Sequence, residues 1–180
     1  MDNYTDIIIN QSNKLNQHIE KILNIAKSDS TAMALNIKNI EVIPVLDAVI
    51  ENMRLKYNYA IIRIEKDNPT YTIQADEFHF TNLVYNLLDN AIKYCEVNPE
   101  IVIAISEVKQ QLQIAFVDNG IGIAQKNIAF IFDKFYRIPN NKSNEINGFG
   151  LGLYYVKKIC LFTTGNSMQN PIPIQVLRFH

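Results

Sequence analysis

The stretch EIVIAISEVKQQLQIAFVDNG, residues 100 to 120, alternates apolar and polar side chains through two runs that meet near Lys109-Gln110-Gln111. A period of two puts the apolar residues of each run on one face of a strand, and the break reads as a turn between two strands. A sheet with one apolar face needs a second layer to cover it, and several neighbouring segments have helical patterns. VIPVLDAVIENMRLKYN predicts a helix with Pro44 near its start and Val45, Val49 and Met53 at helical spacing. Residues 76 to 95 predict a second helix, with Asp76 as its N-cap. YAIIRIEK and PTYTIQAD read as two further strands joined by a turn at Asp67-Asn68-Pro69. IAQKNIAFIFDKFY predicts a short helix and a turn, RIPNNKSNEIN a loop, and GLGLYYVKKI a last helix. The fold class that follows is α+β: a two-layer α/β sandwich, with a mixed, largely antiparallel sheet and helices on one face.

Residues 3 to 28 stand apart. They contain no Gly or Pro, and Ile8, Leu15 and Ile22 recur every seven residues, with Ser12, Ile19 and Ala26 at the complementary positions. That spacing predicts a coiled-coil-type helix outside the main core, closed by the turn-prone DSTAMALNIKN. The chain thus reads as a helix over 1–30, a main domain over 31–160 and an atypical tail over 161–180. A net charge of −1 gives no global attraction to nucleic acid or to an anionic membrane. No apolar run approaches the ~20 residues of a membrane span, and neither a span nor a signal peptide is expected. Cys95 and Cys160 lack metal-ligand spacing, as do His18, His79 and His180, which fits reduced thiols in a cytoplasm.

Chemistry concentrates in four places. In NLVYNLLDNAIKYC, Asn86 and Asn90 share one helix face, with Lys93 and Tyr94 a turn further on. An amide oxygen at Asn90 suits Mg²⁺ bridged to phosphates, Lys93 suits phosphate charge and Tyr94 a base or ribose; plain solvation of a helix surface explains the same residues. DNGIGI follows directly on a strand, so Asp118 stands where the chain turns. Its carboxylate is suited to an exocyclic amine such as adenine's, and Gly120 and Gly122 permit close approach of a ligand; an ordinary Asp-Asn-Gly turn is the alternative. GFGLGL opens into a helix, whose exposed N–H groups favour an anion. It is neither a Walker loop, having no Lys-Ser or Lys-Thr after it, nor a Rossmann turn, having no strand before it. In IFDKFYRIP, Phe132 and Phe135 are expected to anchor a loop by burial, holding Arg137 at the edge of a lid; an aromatic plug beside a solvated Arg is the alternative.

Taken together and in this order, the four pieces resemble the catalytic, ATP-binding domain of sensor histidine kinases, within the wider gyrase and Hsp90 type of ATP-binding fold. NLLDNAIKY resembles the N box, DNGIGI the first glycine box, FDKFYR the phenylalanine box and GFGLGL the second glycine box, and the likeness runs from about residue 3 to Ile159. It implies ATP and Mg²⁺ as ligands, with a metal role for Asn90 and adenine recognition by Asp118. It also implies phosphate contacts from Lys93, Arg137 and the backbone of 148–152, beneath a lid over roughly 124–147. The catalytic set carried over is Asn86, Asn90, Lys93 and Arg137. The nucleotide-binding set adds Tyr94, Asp118, Gly120, Gly122, Ile123, Phe132, Gly148, Phe149, Gly150, Leu151, Gly152 and Leu153. The helix over 3–28 resembles the second helix of the dimerisation and phosphoacceptor hairpin. The implied partners are a phosphoacceptor histidine hairpin, a response regulator receiver domain and a second copy joined through the N-terminal helix, with no nucleic acid. The implied location is cytoplasmic, in a parent protein open to anchorage in the inner membrane.

Two departures bear on activity. The phosphoacceptor pattern is absent, since His18 in NQHIEKIL stands on the other helix without the expected Pro, so transfer is expected only to a hairpin supplied elsewhere. A nucleotide-binding or dimerising module without turnover is therefore the alternative; an ATPase of the gyrase kind is disfavoured by Asn86, because an amide cannot take a proton from water. After Ile159 the family continues with a His-Gly-Gly-like turn and a closing hairpin, where this chain has CLFTTGNSMQNPIPIQVLRFH. The expectation is that C-terminal strands are missing. Permitted codons for Leu161 to Phe179, read two bases later, can give IYHGKFNAKSNSNSGTSF, which restores the turn and strand signature and points to a frame slip or a sequencing error.

Overall fold

A computed structural model describes residues 35–108, 111–139, 149–166 and 174–178. The helix expected over 3–28, Gly148 and most of the polar loop before it lie outside the described residues. In the unit Asn36–His180 the elements are β1 (Lys38–Glu41), α1 (Val42–Lys56), β2 (Ile61–Lys66), β3 (Thr72–Ala75), α2 (Glu77–Lys93), β4 (Glu100–Val108), β5 (Gln111–Asp118), α3 (Gln125–Ile128), α4 (Gly152–Asn166) and β6 (Ile174–Arg178).

The α+β class and the helical layer are as expected, while the strand pairing is not a set of successive hairpins. β4 and β5 pair antiparallel in a register running from Ile101 opposite Asp118 to Val108 opposite Gln111. β2 and β3, although joined by a short turn, do not pair with each other. β2 runs parallel to β4, with Ile61 opposite Glu100, and β3 pairs antiparallel with β1. A parallel pair needs a crossover, and β3 with α2 supplies it. The main sheet has the order β2-β4-β5-β6.

The core lies between this sheet and the helices. Ile62, Ile101, Ile103, Ile105, Ile114 and Phe116 are buried on one face of the sheet, at alternate positions along each strand. From the helices come Leu46, Val49, Ile50 and Met53 of α1, Leu83, Val84, Leu87 and Leu88 of α2, and Tyr155, Val156 and Ile159 of α4. α2 packs against both other long helices and touches β4 and β5. The buried stripe of α1 runs through Leu46 rather than Val45, which is half-buried. Pro44 is the third residue of α1, where its missing N–H costs no helical hydrogen bond.

Two strands depart from the expectation. β1, KNIE, buries only Ile40; so little local signal is outweighed by the partner strand β3 that completes its hydrogen bonds. The tail, expected to leave the sheet short, places Ile174–Arg178 parallel to β5 as edge strand β6. Pro171 and Pro173 precede that strand in sequence, so neither removes a donor from its ladder. Among the described residues no helix is long and apolar enough to cross a membrane.

Candidate functional site

The site begins with how α2 is held. Asp76 caps it, its Oδ1 accepting from His79 N at 3.1 Å while its Oδ2 accepts from Asn36 N at 2.8 Å. With one face of α2 buried, Asn86, Asn90 and Lys93 are left half-buried. Asn86 Nδ2 donates to Asn82 O at 2.7 Å, which turns its oxygen away from its own backbone. That oxygen meets the amino end of α4: a Cβ added at Gly152 would lie 3.1 Å from Asn86 Oδ1 and 3.7 Å from Asn90 Nδ2. Both amides therefore adjoin the opening of the helix that follows the second glycine cluster, and this junction, where residue 152 has no side chain, is the candidate cleft.

The first glycine turn is stitched to the other end of α2. Asp118 closes β5 and is 5% exposed, with its Oδ1 accepting from Gly120 N at 2.9 Å. Ile121 N donates to Tyr94 O at 3.0 Å, and a Cβ at Gly120 would fall 2.8 Å from that same carbonyl. Gly122 is buried with φ 67°, a conformation that L side chains rarely adopt. Ile123 beside it is half-buried. Asn119, which the sequence reading passed over, ties the corner together. Its Oδ1 accepts from Glu100 N at 2.9 Å and from Cys95 Sγ at 3.2 Å, and its Nδ2 donates to Asn98 O at 3.2 Å. Its place inside DNG was the available signal, since an Asn in such a turn commonly bonds nearby backbone.

The aromatic segment clamps the second glycine cluster by backbone rather than by burial. Phe135 N donates to Gly150 O at 3.0 Å, and Gly150, at φ 68°, would drive a Cβ to 2.6 Å from Tyr136 O. Phe135 itself has φ 66° and is 63% exposed, so the expectation that its ring anchors the loop is corrected. Phe132 is half-buried, and Arg137 stands half-buried directly after the clamp. Phe149 is exposed, Leu151 is buried and Leu153 is half-buried.

Two polar clusters flank the cleft. Lys93 Nζ lies 2.5 Å from Asp89 Oδ2, and Asp89 Oδ1 takes Lys56 Nζ at 3.0 Å and Tyr57 OH at 2.8 Å. Burial alone would raise the Asp89 carboxyl; hydrogen bonding and charge from Lys93, then Tyr57 and Lys56, outweigh it and hold the group at about 2. At the opposite end of α2, His79 Nδ1 lies 2.7 Å from the Tyr155 hydroxyl of α4. Burial lowers the His79 pKa against the opposing charge of Asp76, and burial followed by Asp76 raises that of Tyr155.

The family described as histidine kinase-, DNA gyrase B-, and HSP90-like ATPase matches residues 75–170, more than half of the chain. This chain belongs to that family. The matched range takes in every piece of the cleft. Sensor protein RprX of Bacteroides fragilis (strain YCH46) is 37% identical over 159 residues, covering 85% of this chain and 30% of that protein. The signal transduction histidine-protein kinase ArlS of Staphylococcus haemolyticus (strain JCSC1435) is 27% identical over 154 residues, 86% of this chain and 34% of its own length. The chain thus spans about a third of the curated relatives it matches. Among solved structures, full-length ShkA in complex with AMPPNP superposes with a TM-score of 0.75 at 24% identity, over 90% of this chain and 34% of ShkA. The histidine kinase ThkA in complex with the response regulator TrrA does so at 0.59 and 22%, over 76% of this chain and 40% of that one. At these identities the structures establish the shared fold.

As a member of this ATPase family the chain carries its nucleotide-binding domain, and the donor set fits a metal-bound triphosphate. Among the described residues no group of three or more His, Cys, Asp or Glu could hold a metal ion. The oxygen donors at the cleft are amides, which suit a Mg²⁺ that keeps most of its coordination for water and phosphate. Asn86 is oriented by the bond from its Nδ2 to Asn82 O, which leaves its Oδ1 beside Gly152, whereas the amide of Asn90 has no hydrogen-bond partner among the described residues and is free to turn its oxygen toward a metal.

Proposed function

We propose that the chain is the ATP-binding catalytic module of a two-component sensor histidine kinase. It presents the γ-phosphate to a histidine on a partner hairpin, from which a response regulator receives it. The observation that carries this reading is the approach of Asn86 and Asn90 to Gly152, which closes the amides and the amino end of α4 around one cleft. Asp118, buried at the end of β5, takes the adenine amine. Asn90 would hold Mg²⁺, which would supply charge neutralisation to the phosphates. Lys93, Arg137 and the N–H groups opening α4 face the phosphoryl oxygens. In the transfer, a nitrogen–phosphorus bond forms at the acceptor imidazole as the bond from phosphorus to the ADP oxygen breaks. An imidazole needs no strong base, so positioning and charge neutralisation are what the protein contributes. ThkA's complex with a response regulator and the kinase names of the relatives support the receiver domain as onward partner. The intact parent is a homodimer through its N-terminal helix, with this module in the cytoplasm.

The test is a nucleotide titration with and without Mg²⁺ on the chain, Asn90→Ala and Asp118→Ala, followed by labelled ATP with an intact phosphoacceptor hairpin. Asn90→Ala is expected to weaken the Mg²⁺-dependent part of binding by about tenfold or more, the scale of losing a charge-assisted contact. Asp118→Ala is expected to abolish the preference for adenine over guanine. Unaltered affinity in both variants refutes the site; nucleotide binding without label on the hairpin favours a binding module without turnover.

A further inference from the structure

The Asp89 cluster does more than decorate α2. Consecutive helix residues are set about 100° apart, so Lys93 stands between the direction of Asn90, about 60° away, and that of Asp89, about 40° away on the other side. A lysine stem there reaches either the cleft amides or the carboxylate, and the ion pair at 2.5 Å takes the ammonium to the carboxylate. The carboxylate is pinned from α1: Lys56 and Tyr57, at the end of that helix, both hold Oδ1 and leave Oδ2 to Lys93. Asp89 is 19% exposed against 30% for Lys93 and 59% for Lys56, so the pair is drier than an ordinary helix-surface bridge.

We propose that Asp89 is a positioning residue that latches Lys93 on the α1 side of α2, and that nucleotide phosphate must draw the ammonium off this carboxylate to bind. Release is cheap because Asp89 keeps Lys56 and Tyr57 when Lys93 departs, so no partly buried charge is left without a partner. The latch therefore lowers the affinity for nucleotide, and α1 sets how strongly. This inference rests on the phosphate-binding role proposed for Lys93.

The experiment is isothermal titration of Mg·ATP into the full chain, Asp89→Asn, Lys93→Met and the double variant. Asp89→Asn is expected to bind Mg·ATP about three- to tenfold more tightly, the range of a half-buried ion pair, and Lys93→Met more weakly. In the Lys93→Met background the gain from Asp89→Asn disappears. Lys56→Met, at an exposed position, serves should Asp89→Asn fail to fold. It leaves Asp89 dependent on Lys93, so affinity falls in the parent and is unchanged in the Lys93→Met background. A gain that persists without Lys93 is a general field effect and overturns the latch. So does Asp89→Asn binding no better than the parent, or, where that variant does not fold, Lys56→Met leaving affinity intact. If the parent chain itself binds no Mg·ATP, the functional reading falls and the latch with it.

Discussion

Gly152→Ala separates the cleft from the fold better than any other change. Gly152 opens α4, and Ala is the better helix former by up to about 1 kcal/mol in a helix interior, less at a first residue. Its φ lies outside the left-handed region, so the backbone accepts a side chain. Stability should therefore hold or rise slightly. The new methyl, however, would sit 3.1 Å from Asn86 Oδ1 and 3.7 Å from Asn90 Nδ2. At 3.1 Å the amide must give way by a few tenths of an ångström, and the space that phosphate and metal would use is filled. Losing one charge-assisted contact costs about 1.5–3 kcal/mol, or roughly ten- to a hundredfold in Kd. Thermal denaturation followed by calorimetric titration of Mg·ATP reads both quantities on one sample. The expected outcome is an unchanged or higher Tm with binding weakened at least about tenfold. Mg·ATP affinity within twofold of the parent, in a variant of normal Tm, would refute the claim that nucleotide occupies this cleft.

Gly150→Ala should behave oppositely and lose stability first. Its φ of 68° and a Cβ 2.6 Å from Tyr136 O together cost about 2 kcal/mol or more, visible as a lower denaturation midpoint. Stability should also fall on mild acidification. The folded pKa of His79 lies below the unfolded value of 6.5, so the unfolded chain binds the proton first, and stability present above about 6.5 is lost as pH falls toward the folded pKa. Tm measured from pH 8 to 5 should drop in the parent and drop less in His79→Gln; equal slopes would exclude His79 as the cause. For the tail, coding DNA that reads IYHGKFNAKSNSNSGTSF two bases out of frame from codon 161 supports the frame slip, and DNA with no such frame removes it.

The two longest strands and the long helices could be read locally because each has a periodic apolar face. The sheet pattern of β4 and β5, the stripe of α2 and the cap at Asp76 are visible without any partner. The candidate site was equally visible by residue type: amides on one helix face, an acid at a strand end, and glycines before a helix. What sequence alone could not decide is everything that depends on a distant partner. KNIE is a strand only because β3 completes it, and β2 turns from its neighbour β3 to lie parallel with β4. Likewise the ring of Phe135 is largely exposed while its backbone holds Gly150, which no hydrophobicity pattern announces. Periodicity reports which face a residue occupies; pairing and side-chain destination depend on what the rest of the chain places opposite it. Thus the residues of the candidate site stand in four short motifs, whereas the approach of Asn86 and Asn90 to Gly152, and the pairing of Lys93 with Asp89, came from packing α2 between α1 and α4.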